Sequence, residues 1–337
     1  MPDKVTVAID AMASDTGFKP LIAGSLDALR ADQALKIILV GDKQKLESTL
    51  TEKYPSWQDL NIAIEHCEQV VGMGESFVSL ARKKGSATIK RTLELVLNST
   101  AHTALSAGST AASVYWSREV FGTYPQNTSK VAIPIPWPTS RGATILIDAG
   151  ATVDADAADL AHFGIMGSLY AKHLLKIEKP SVGLLSIGEE RTKGNIRAKD
   201  AHSALLKTLK SDFKGMIEGN DLARGKMDVV VCDGFLGNII LKLGEGLLAE
   251  TAKSIKNDLN IFGKLGVLLL LPTLKRIKRK VSWENIGGAP LLGIRGNMVI
   301  AHGKSTPTAI TNAIRLCANM GRENLAKAMQ EKYPIIT

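Results

Sequence analysis

The sequence contains few of the residues that mark disulfide-bonded or metal-binding proteins. Only three cysteines, Cys67, Cys232 and Cys317, occur in 337 residues, and no pair has the spacing CxxC. Each lies among apolar residues, so buried reduced thiols are expected rather than a disulfide or a metal site. The six histidines form no HxxxH or HExxH pattern. The sequence therefore predicts neither a metal nor a cofactor.

Aromatic residues and long hydrophobic runs are also scarce. Aromatic residues make up 5% of the chain and do not alternate with basic ones, so nucleic acid is not expected as a partner despite a net charge of +9. That charge favours an acidic protein, anionic lipid or a phosphorylated substrate. No apolar run approaches the ~18 residues of a membrane-spanning helix. The opening MPDKVTVAIDAM carries two acids and is typical of a strand, not of a signal peptide, so a cytoplasmic protein is expected.

Short apolar runs alternate with segments of helical spacing from end to end. Several runs are continuously apolar, which is typical of strands buried on both faces of a parallel sheet between helices. We predict one α/β catalytic domain over residues 1–337 with a mostly parallel central sheet. Helical spacing occurs at 19–32, 158–175 and 308–329. The predicted strands are 5–10, 35–42, 61–71, 103–108, 130–135, 143–150, 181–188, 227–234 and 297–303.

The predicted strands end in small, acidic or hydroxyl-bearing residues. Ligands bind open parallel sheets beyond the carboxyl ends of the strands, where glycine permits close approach and helix N-termini attract anions. For any single turn of this kind, ordinary turn and cap chemistry is the better explanation. As a set, they predict a phosphate-type ligand. The predicted substrate- and phosphate-binding residues are Asp10, Ser106, Gly108, Ser109, Thr110, Asp148, Gly188, Glu189, Asp233, Gly234, His302 and Gly303.

The stretch IGEERTKGN at 187–195 places two acids, two cations and a Gly-Asn pair after a predicted strand. Lys193 is suited to offset the charge of a phosphate or of a developing oxyanion. Taken in isolation, this stretch is better explained as a solvated charged loop. GEGLLA at 244–249 mimics a dinucleotide fingerprint but lies within a predicted helix, and HGKST lacks the first glycine of a P-loop. Neither nucleotide motif is predicted.

Nine stretches, in order along the chain, match the motifs of one bacterial enzyme family. The most specific are VGLLSIGEERTKGN at 182–195, DVVVCDGFLGNIILK at 228–242 and GGAPLLGIRGNMVIAHGKS at 287–305. With VTVAIDAMASD, KIILVGD, ALSAGSTAA, ILIDAGATVD, GIMGSLYAK and NAIR, the series resembles the phosphate acyltransferases of phospholipid synthesis, the PlsX family. The resemblance covers essentially the whole chain.

The resemblance implies a homodimer with a three-layer α/β/α fold akin to isocitrate and isopropylmalate dehydrogenases. It implies conversion of a fatty acyl chain on acyl carrier protein, with inorganic phosphate, to acyl-phosphate. A membrane acyltransferase would then transfer that chain to glycerol 3-phosphate on the route to phosphatidic acid. The family's catalytic lysine and asparagine fall on Lys193 and Asn238. The alternatives are an acyl-CoA-using phosphate acyltransferase and a non-catalytic paralogue that binds carrier protein or membrane.

The chain departs from the family pattern at several predicted ligand turns. DAMGGD is DAMASD here, SAGNTGA is SAGSTAA, LGAN is AGAT and KGNE is KGNI. An added Cβ narrows the approach to the backbone, and a lost amide removes hydrogen-bond donors, so these changes are expected to tune the substrate or the activity. The residues that differ are Ala13, Ser14, Ser109, Ala111, Thr152 and Ile196.

The segment 259–283 combines the most apolar run of the chain with its densest cluster of cations. Residues 265–271 carry no polar side chain, and Pro272 would end a helix there. Such a segment suits an anionic membrane interface, a dimer contact or the acidic carrier protein, and the family resemblance favours the membrane. We therefore predict peripheral association with the inner face of the cell membrane. The predicted membrane contacts are Leu265, Leu268, Leu269, Leu270, Lys275 and Arg276.

Overall fold

A computed structural model of the protein describes residues 4–72, 87–124, 130–258, 267, 270, 272–273 and 286–332. These residues form two mostly parallel β-sheets flanked by helices, which confirms the predicted α/β class. The predicted strands are divided between the two sheets. The strands are β1 (Val5–Asp10), β2 (Leu35–Gly41), β3 (Ile62–His66), β4 (Thr103–Ser106), β5 (Ile135–Thr139), β6 (Gly142–Ile147), β7 (Val182–Leu185), β8 (Phe213–Ile217), β9 (Val229–Val231), β10 (Gly288–Pro290) and β11 (Met298–Ala301).

The helices carry amphipathic or largely apolar sequences and cover the faces of the sheets. Side chains cap several of them; for example, Asp156 and Asp159 form a capping box at the start of the fifth. The helices are α1 (Lys19–Ala31), α2 (Lys43–Lys53), α3 (Thr88–Leu97), α4 (Thr110–Phe121), α5 (Ala157–Leu175), α6 (Ile196–Leu209), α7 (Gly219–Arg224), α8 (Gly234–Asp258), α9 (Pro307–Arg322) and α10 (Leu325–Lys332).

The first sheet has the strand order β10-β11-β4-β1-β2-β3, and β10 is its antiparallel strand. Successive side chains of β1 point to opposite faces of this sheet. Val7 and Ile9 pack in the core that includes Leu21 of α1, whereas Ala8 packs in a separate cluster with Leu95 of α3. Both faces of the central strand are therefore buried, as its continuously apolar sequence predicts.

The second sheet has the order β5-β6-β9-β7-β8, with β5 antiparallel to β6. The two sheets are joined where Ala132 and Leu292 exchange backbone hydrogen bonds of 3.1 and 2.8 Å. This bridge lies just before β5 in the chain and just after β10, so it links the antiparallel edges of the two sheets. A cleft lies beside that junction.

Three predicted elements differ clearly from the observed ones. A strand was expected over 61–71, but β3 ends at His66. A strand was expected at 130–135, but β5 begins only at Ile135, and Ala132 makes an isolated bridge. One continuous helix was expected over 308–329, but α9 ends at Arg322 and α10 begins at Leu325. Asn324, between them, has a φ of 46°, which is incompatible with a right-handed helix.

Most of the predicted membrane-contacting segment lies outside the described residues, including Leu265, Leu268, Leu269, Lys275 and Arg276. Leu270 is described and is 56% exposed. Within the described ranges, no helix combines the length and the apolar character needed to cross a bilayer. All three cysteines are buried, as the sequence predicts.

Candidate active site

A cavity of about 490 Å³ lies between the two sheets at the carboxyl ends of their parallel strands. The first sheet contributes Gly108 and Thr110 after β4, and His302 and Gly303 after β11. The second contributes the turn after β6 and, through Asn238, the start of α8. Parallel α/β proteins bind ligands in this position. The structure thus brings five of the predicted site residues together in one cleft.

Asn238 reaches the cavity because α8 approaches the turn after β6 very closely. A Cβ atom on Gly237 would overlap the backbone oxygen of Asp148, so only glycine permits this contact. Gly150 lies beside the asparagine, since a Cβ placed on it would be 3.4 Å from the Cβ of Asn238. The FLGN motif therefore places an amide side chain on the second turn of a helix, directly against a glycine-containing turn.

The carboxylate of Asp148 stabilises the turn after β6 by accepting hydrogen bonds from its backbone. Its side chain is fully buried, and its Oδ1 atom accepts hydrogen bonds from the N–H groups of Ile133, Gly150 and Ala151 at 2.9 to 3.0 Å. Its Oδ2 atom accepts a fourth from Thr152 at 2.6 Å. Burial raises the pKa of this carboxyl group, and the four donors oppose the rise. Asp148, predicted from the sequence to bind substrate, supports the turn that borders the cavity.

Lys193 lies on the exposed turn between β7 and α6, and it is not among the residues that line the described cavity. The aliphatic part of its side chain packs against Gly188. A Cβ added to Gly188 would lie 2.9 Å from the Cγ of the lysine. Gly194 follows with a φ of 82°, a left-handed conformation that favours glycine. Asn195 then caps α6 by accepting a 2.8 Å hydrogen bond from Ala198 N–H. The TKGN motif therefore forms a turn that carries an exposed cation.

Arg197 connects the loops that follow three neighbouring strands. Its guanidinium group forms a 2.9 Å ion pair with Asp233 at the start of α8 and donates a 3.1 Å hydrogen bond to the Ala155 carbonyl after β6. Asp233 also caps α8 by accepting a 2.8 Å hydrogen bond from Leu236 N–H. Arg197 itself belongs to the first turn of α6. No local sequence pattern points to this residue, because its partners are distant along the chain.

Glu189 and Gly234, two other predicted ligands, have structural contacts. Glu189 forms an ion pair with Lys226, which also contacts Asp221. Gly234 packs against the turn after β6. A Cβ added to Gly234 would lie 2.6 Å from both Asp148 Oδ2 and the Thr152 carbonyl oxygen. These residues shape the carboxyl edge of the second sheet.

Asp10 lies behind the cavity wall at the end of β1. Its carboxylate is fully buried, and Oδ2 accepts a 3.0 Å hydrogen bond from Ser106 Oγ. Ser106 Oγ in turn accepts a 3.1 Å hydrogen bond from the N–H group of Gly108, which lines the cavity. Burial raises the pKa of Asp10 to about 6, against the opposing effect of hydrogen bonds from nearby groups. Asp10 and Ser106, both predicted site residues, therefore contact the cavity only through Gly108, a third predicted residue, which they hold in place.

Four of the departures from the family pattern make defined contacts. Ser14 donates a 2.8 Å hydrogen bond to the Gly303 carbonyl, which ties the turn after β1 to the turn after β11. Thr152 donates one of 2.8 Å to the Val131 carbonyl. Ser109 caps α4 by accepting a hydrogen bond from Ala112 N–H. Ala13 is buried and packs against Gly108. A Cβ added to Gly108 would lie 2.8 Å from the Cβ of Ala13. Each added side chain is accommodated without filling the cavity.

Much of the cavity is apolar, and the sequence did not identify that part of it. The segment before β5, the ends of β6, β10 and β11 and the second turn of α8 together contribute aliphatic side chains or glycine. These residues are Ile133, Ile135, Ala149, Leu241, Ile286, Gly287, Gly288, Ala289, Ile300 and Ala301. Lys242 and Glu245 also line it and form a 2.9 Å ion pair with each other. Among the described residues, no group of three or more His, Cys, Asp or Glu side chains is arranged to hold a metal ion.

Sequence comparison decides the family. The family model described as "Fatty acid synthesis protein" matches residues 5–328. The phosphate acyltransferase of Campylobacter lari is 40% identical over 331 residues, which cover 97% of each chain. This chain belongs to the PlsX family of phosphate acyltransferases. It is therefore an acyltransferase of fatty acid and phospholipid synthesis, as the motif series predicts.

Solved structures support the fold of this phosphate acyltransferase. A phosphotransacetylase from Streptococcus pyogenes has a TM-score of 0.62 at 14% identity and covers 94% of both chains. A 4-hydroxythreonine-4-phosphate dehydrogenase from Klebsiella pneumoniae has a TM-score of 0.54 at 13% identity, covering 96% of this chain and 99% of that one. At such identities the likeness concerns the fold alone. It agrees with the dehydrogenase-like architecture predicted for this enzyme.

Proposed function

We propose that this enzyme transfers the acyl group of an acyl-acyl carrier protein to inorganic phosphate, and that the acyl-phosphate serves phosphatidic acid synthesis. The observation that carries the proposal is the cleft in which Asn238 faces glycine-containing turns from both sheets. The N-terminal end of α4, whose first residue Thr110 lines the cavity, favours a bound anion. The carrier protein and the later pathway are proposed from the family resemblance.

In the proposed reaction, a phosphate oxygen attacks the thioester carbonyl, the C–S bond breaks, and the carrier thiolate leaves and takes up a proton. Asn238 donates its amide to the phosphate or to the tetrahedral oxyanion, and Lys193 offsets the negative charge. Phosphate attacks directly, without an acyl-enzyme. In support, Cys232, next to the DGFLGN motif, is buried, and burial raises the pKa of its thiol well above the ordinary value.

The test is acyl-phosphate formation from palmitoyl-acyl carrier protein and phosphate by purified enzyme. We expect Lys193→Ala and Asn238→Ala each to lower kcat by about 10²–10³, the usual effect of removing one such donor. Lys199→Ala, which removes an exposed lysine from helix α6 just after the TKGN turn, should leave kcat unchanged. Full activity of both site variants would contradict their proposed roles. An acyl-enzyme trapped by acid quenching would contradict direct attack.

The same assay separates the acyl donors. Palmitoyl-CoA replaces the carrier-protein thioester at equal concentration, and kcat/KM is compared. We expect a clear preference for the carrier protein; a preference for CoA would favour the acyl-CoA-using alternative. A folded wild-type enzyme that binds carrier protein but forms no acyl-phosphate from either donor would indicate a non-catalytic paralogue.

We further propose that segment 259–283 associates with the anionic inner face of the cell membrane, where the product meets a glycerol-3-phosphate acyltransferase. An apolar run beside several cations supports this, since each cation near such a surface contributes about 1 kcal/mol. Wild-type enzyme should sediment with vesicles that contain anionic lipid. A folded Leu268→Glu/Leu270→Glu variant should remain in solution, and its sedimentation at the wild-type level would contradict the membrane site.

A further inference from the structure

The cavity of the active site has two chemically different ends. At the carboxyl edge of the sheets it is bordered by Gly108, Gly150, Asn238 and the turn at His302. The rest of its wall includes the aliphatic side chains of Ile135 on β5, Leu241 on α8 and Ile300 on β11. A ligand that fills both ends must carry a polar head and an apolar tail.

One aromatic side chain stands at the apolar end. Ile135 and Trp137 point to the same face of β5, because side chains alternate along a strand. Ile135 lines the cavity, and two residues further, ~7 Å along the strand, the Trp137 indole packs against Gly244 of α8. A Cβ on Gly244 would overlap the indole, so helix and ring are in close contact.

The direction of both elements places this contact at the end of the cavity. Ile135 pairs with Leu146, near the carboxyl end of β6, whereas Trp137 pairs with Thr144, closer to the start of that strand. Along α8, Asn238 lies at the polar end, and Gly244 is six residues further, ~9 Å along the helix axis. Leu241 and Glu245, which flank Gly244 on the helix, line the cavity. The indole therefore lies between β5 and α8, beyond the residues that line the cavity and on the side opposite the polar turns.

We propose that the acyl chain of the substrate occupies this apolar end with its terminal carbons toward Trp137, and that the indole limits the chain length accepted. This inference rests on the proposed acyl-transfer function. The polar turns hold the thioester carbonyl and the phosphate beside Asn238, and the chain extends from the carbonyl between β5, β11 and α8. Chain-length selection is then set by Trp137 and Ile135, residues that touch neither phosphate nor the reacting carbonyl.

The proposal has a quantitative signature. Each methylene that enters an apolar site raises kcat/KM by about fourfold until the chain meets the end wall. A plot of log kcat/KM against chain length should therefore rise and then stop rising at a defined length. Moving the wall should move the break point and leave the slope below it unchanged.

Two variants move the wall in opposite directions. Trp137→Ala opens the end and should shift the break point to longer chains, whereas Ile135→Phe narrows the entrance to the same space and should shift it to shorter ones. Trp57→Ala, which removes an indole remote from the cavity, is the matched control and should keep the wild-type break point. Trp137→Leu serves if the alanine variant fails to fold. Opposite shifts would not arise from a general loss of stability, and identical break points in all the variants would overturn the proposal.

A binding measurement separates this inference from the reaction itself. Fatty acids brominated near the methyl end or near the carboxyl end are titrated into wild-type enzyme and Trp137→Phe, and quenching of tryptophan fluorescence is recorded. We expect methyl-end bromines to quench wild type more than the variant, and carboxyl-end bromines to quench both similarly. That pattern without acyl-phosphate formation would retain the chain site and reject the function. Acyl-phosphate formation, with equal quenching by methyl-end bromines in wild type and Trp137→Phe, would support the function and reject the chain site.

Discussion

Individual polar residues in this enzyme act mostly by holding the turns that surround the cavity. Asp10 reaches the cavity wall through Ser106, and Asp148 holds four backbone N–H groups under the turn after β6. Ser14 ties two such turns together. A turn fixed in this way keeps the shape of the cavity wall before the ligand arrives, which reduces the ordering cost of binding.

Asp10 should give the enzyme a measurable pH dependence of stability. Its pKa is about 6 in the folded protein and near the ordinary value of 3.8 in the unfolded chain. Between these values the folded state binds more protons, so this group lowers the free energy of unfolding as pH rises through the window. The decrease is on the order of 3 kcal/mol. Asp10→Asn should lack it in urea unfolding from pH 4 to 7.

Asp15→Asn provides the control, because it removes an exposed carboxylate from the turn that follows β1. The comparison is the difference between each variant and wild type, which cancels the titration of all other groups. Parallel curves for wild type and Asp10→Asn would show that the buried carboxyl is not raised in pKa.

Arg197 should matter to turnover more than to stability. Its ion pair with Asp233 is partly exposed, so Arg197→Ala should cost less than about 1 kcal/mol in unfolding free energy. It also joins the TKGN turn to the helix that carries Asn238, and small misplacements of catalytic groups cost up to about 10²-fold in rate. We expect a kcat reduction of about tenfold or more. Arg197→Lys should recover only part of it, since lysine lacks the planar fork that holds Asp233 and Ala155 together.

At the scale of elements, the apolar pattern predicted the buried strands and missed three of the four edge strands of the two described sheets. Strands β1, β2 and β7 follow from continuous apolar runs. Strands β5, β8 and β10, with the sequences IPWPT, FKGMI and GAP, were not predicted, and each lies at the edge of its sheet. Proline is tolerated on edge strands, where one side of the backbone needs no partner, so such strands lack the usual sequence signal.

The same limit applies to the active site. Glycine-containing strand ends predicted its polar half, because their position in a parallel sheet follows from the order of elements along the chain. Its apolar half is formed by β5, β10, the end of β11 and α8, whose meeting depends on three-dimensional packing of edge strands. Arg197 and Trp137 were not predicted for the same reason. The ion pair of Arg197 with Asp233 and the contact of the Trp137 ring with Gly244 join segments that are distant in sequence, so they produce no local sequence pattern.

Helix α8 contains two glycines that should respond in opposite ways to alanine. A Cβ on Gly237 would overlap the backbone oxygen of Asp148, whereas Gly246 has no atom within 4 Å of its Cβ position. Gly237→Ala should therefore displace the start of the helix, cost about 1–3 kcal/mol and reduce turnover sharply. Gly246→Ala should stabilise the protein by about 0.5–1 kcal/mol and leave kcat unchanged, because alanine is the better helix former. Thermal unfolding and kcat of both variants test this, and equal effects would contradict the close helix–turn contact.

At the scale of the whole molecule, α8 presents an apolar face to solvent beside the active-site cleft. Phe235, Ile239, Leu243 and Leu247 follow one another at a spacing of four residues and are 60%, 45%, 58% and 60% exposed. Side chains four apart lie on one side of a helix, so they form a continuous stripe. A stripe of this kind on a soluble protein marks an interaction surface. We propose that it packs against a second copy of the chain, in agreement with the homodimer that the family resemblance implies.

Charges placed on this stripe should separate the two copies. A buried leucine contributes about 1.5–3 kcal/mol, and a buried unpaired carboxylate is unfavourable in addition, so Leu243→Glu/Leu247→Glu should weaken dimerisation by at least about 100-fold. Sedimentation equilibrium should give twice the mass of one chain for wild type and the mass of one chain for the variant. Leu97→Glu, an equally exposed leucine at the end of α3, should remain dimeric. A wild-type monomer at all concentrations would reject the homodimer, and a dimeric double variant would move its interface away from α8. Because Asn238 lies on the same helix, a monomeric variant that keeps its kcat would further establish that each copy contains a complete active site.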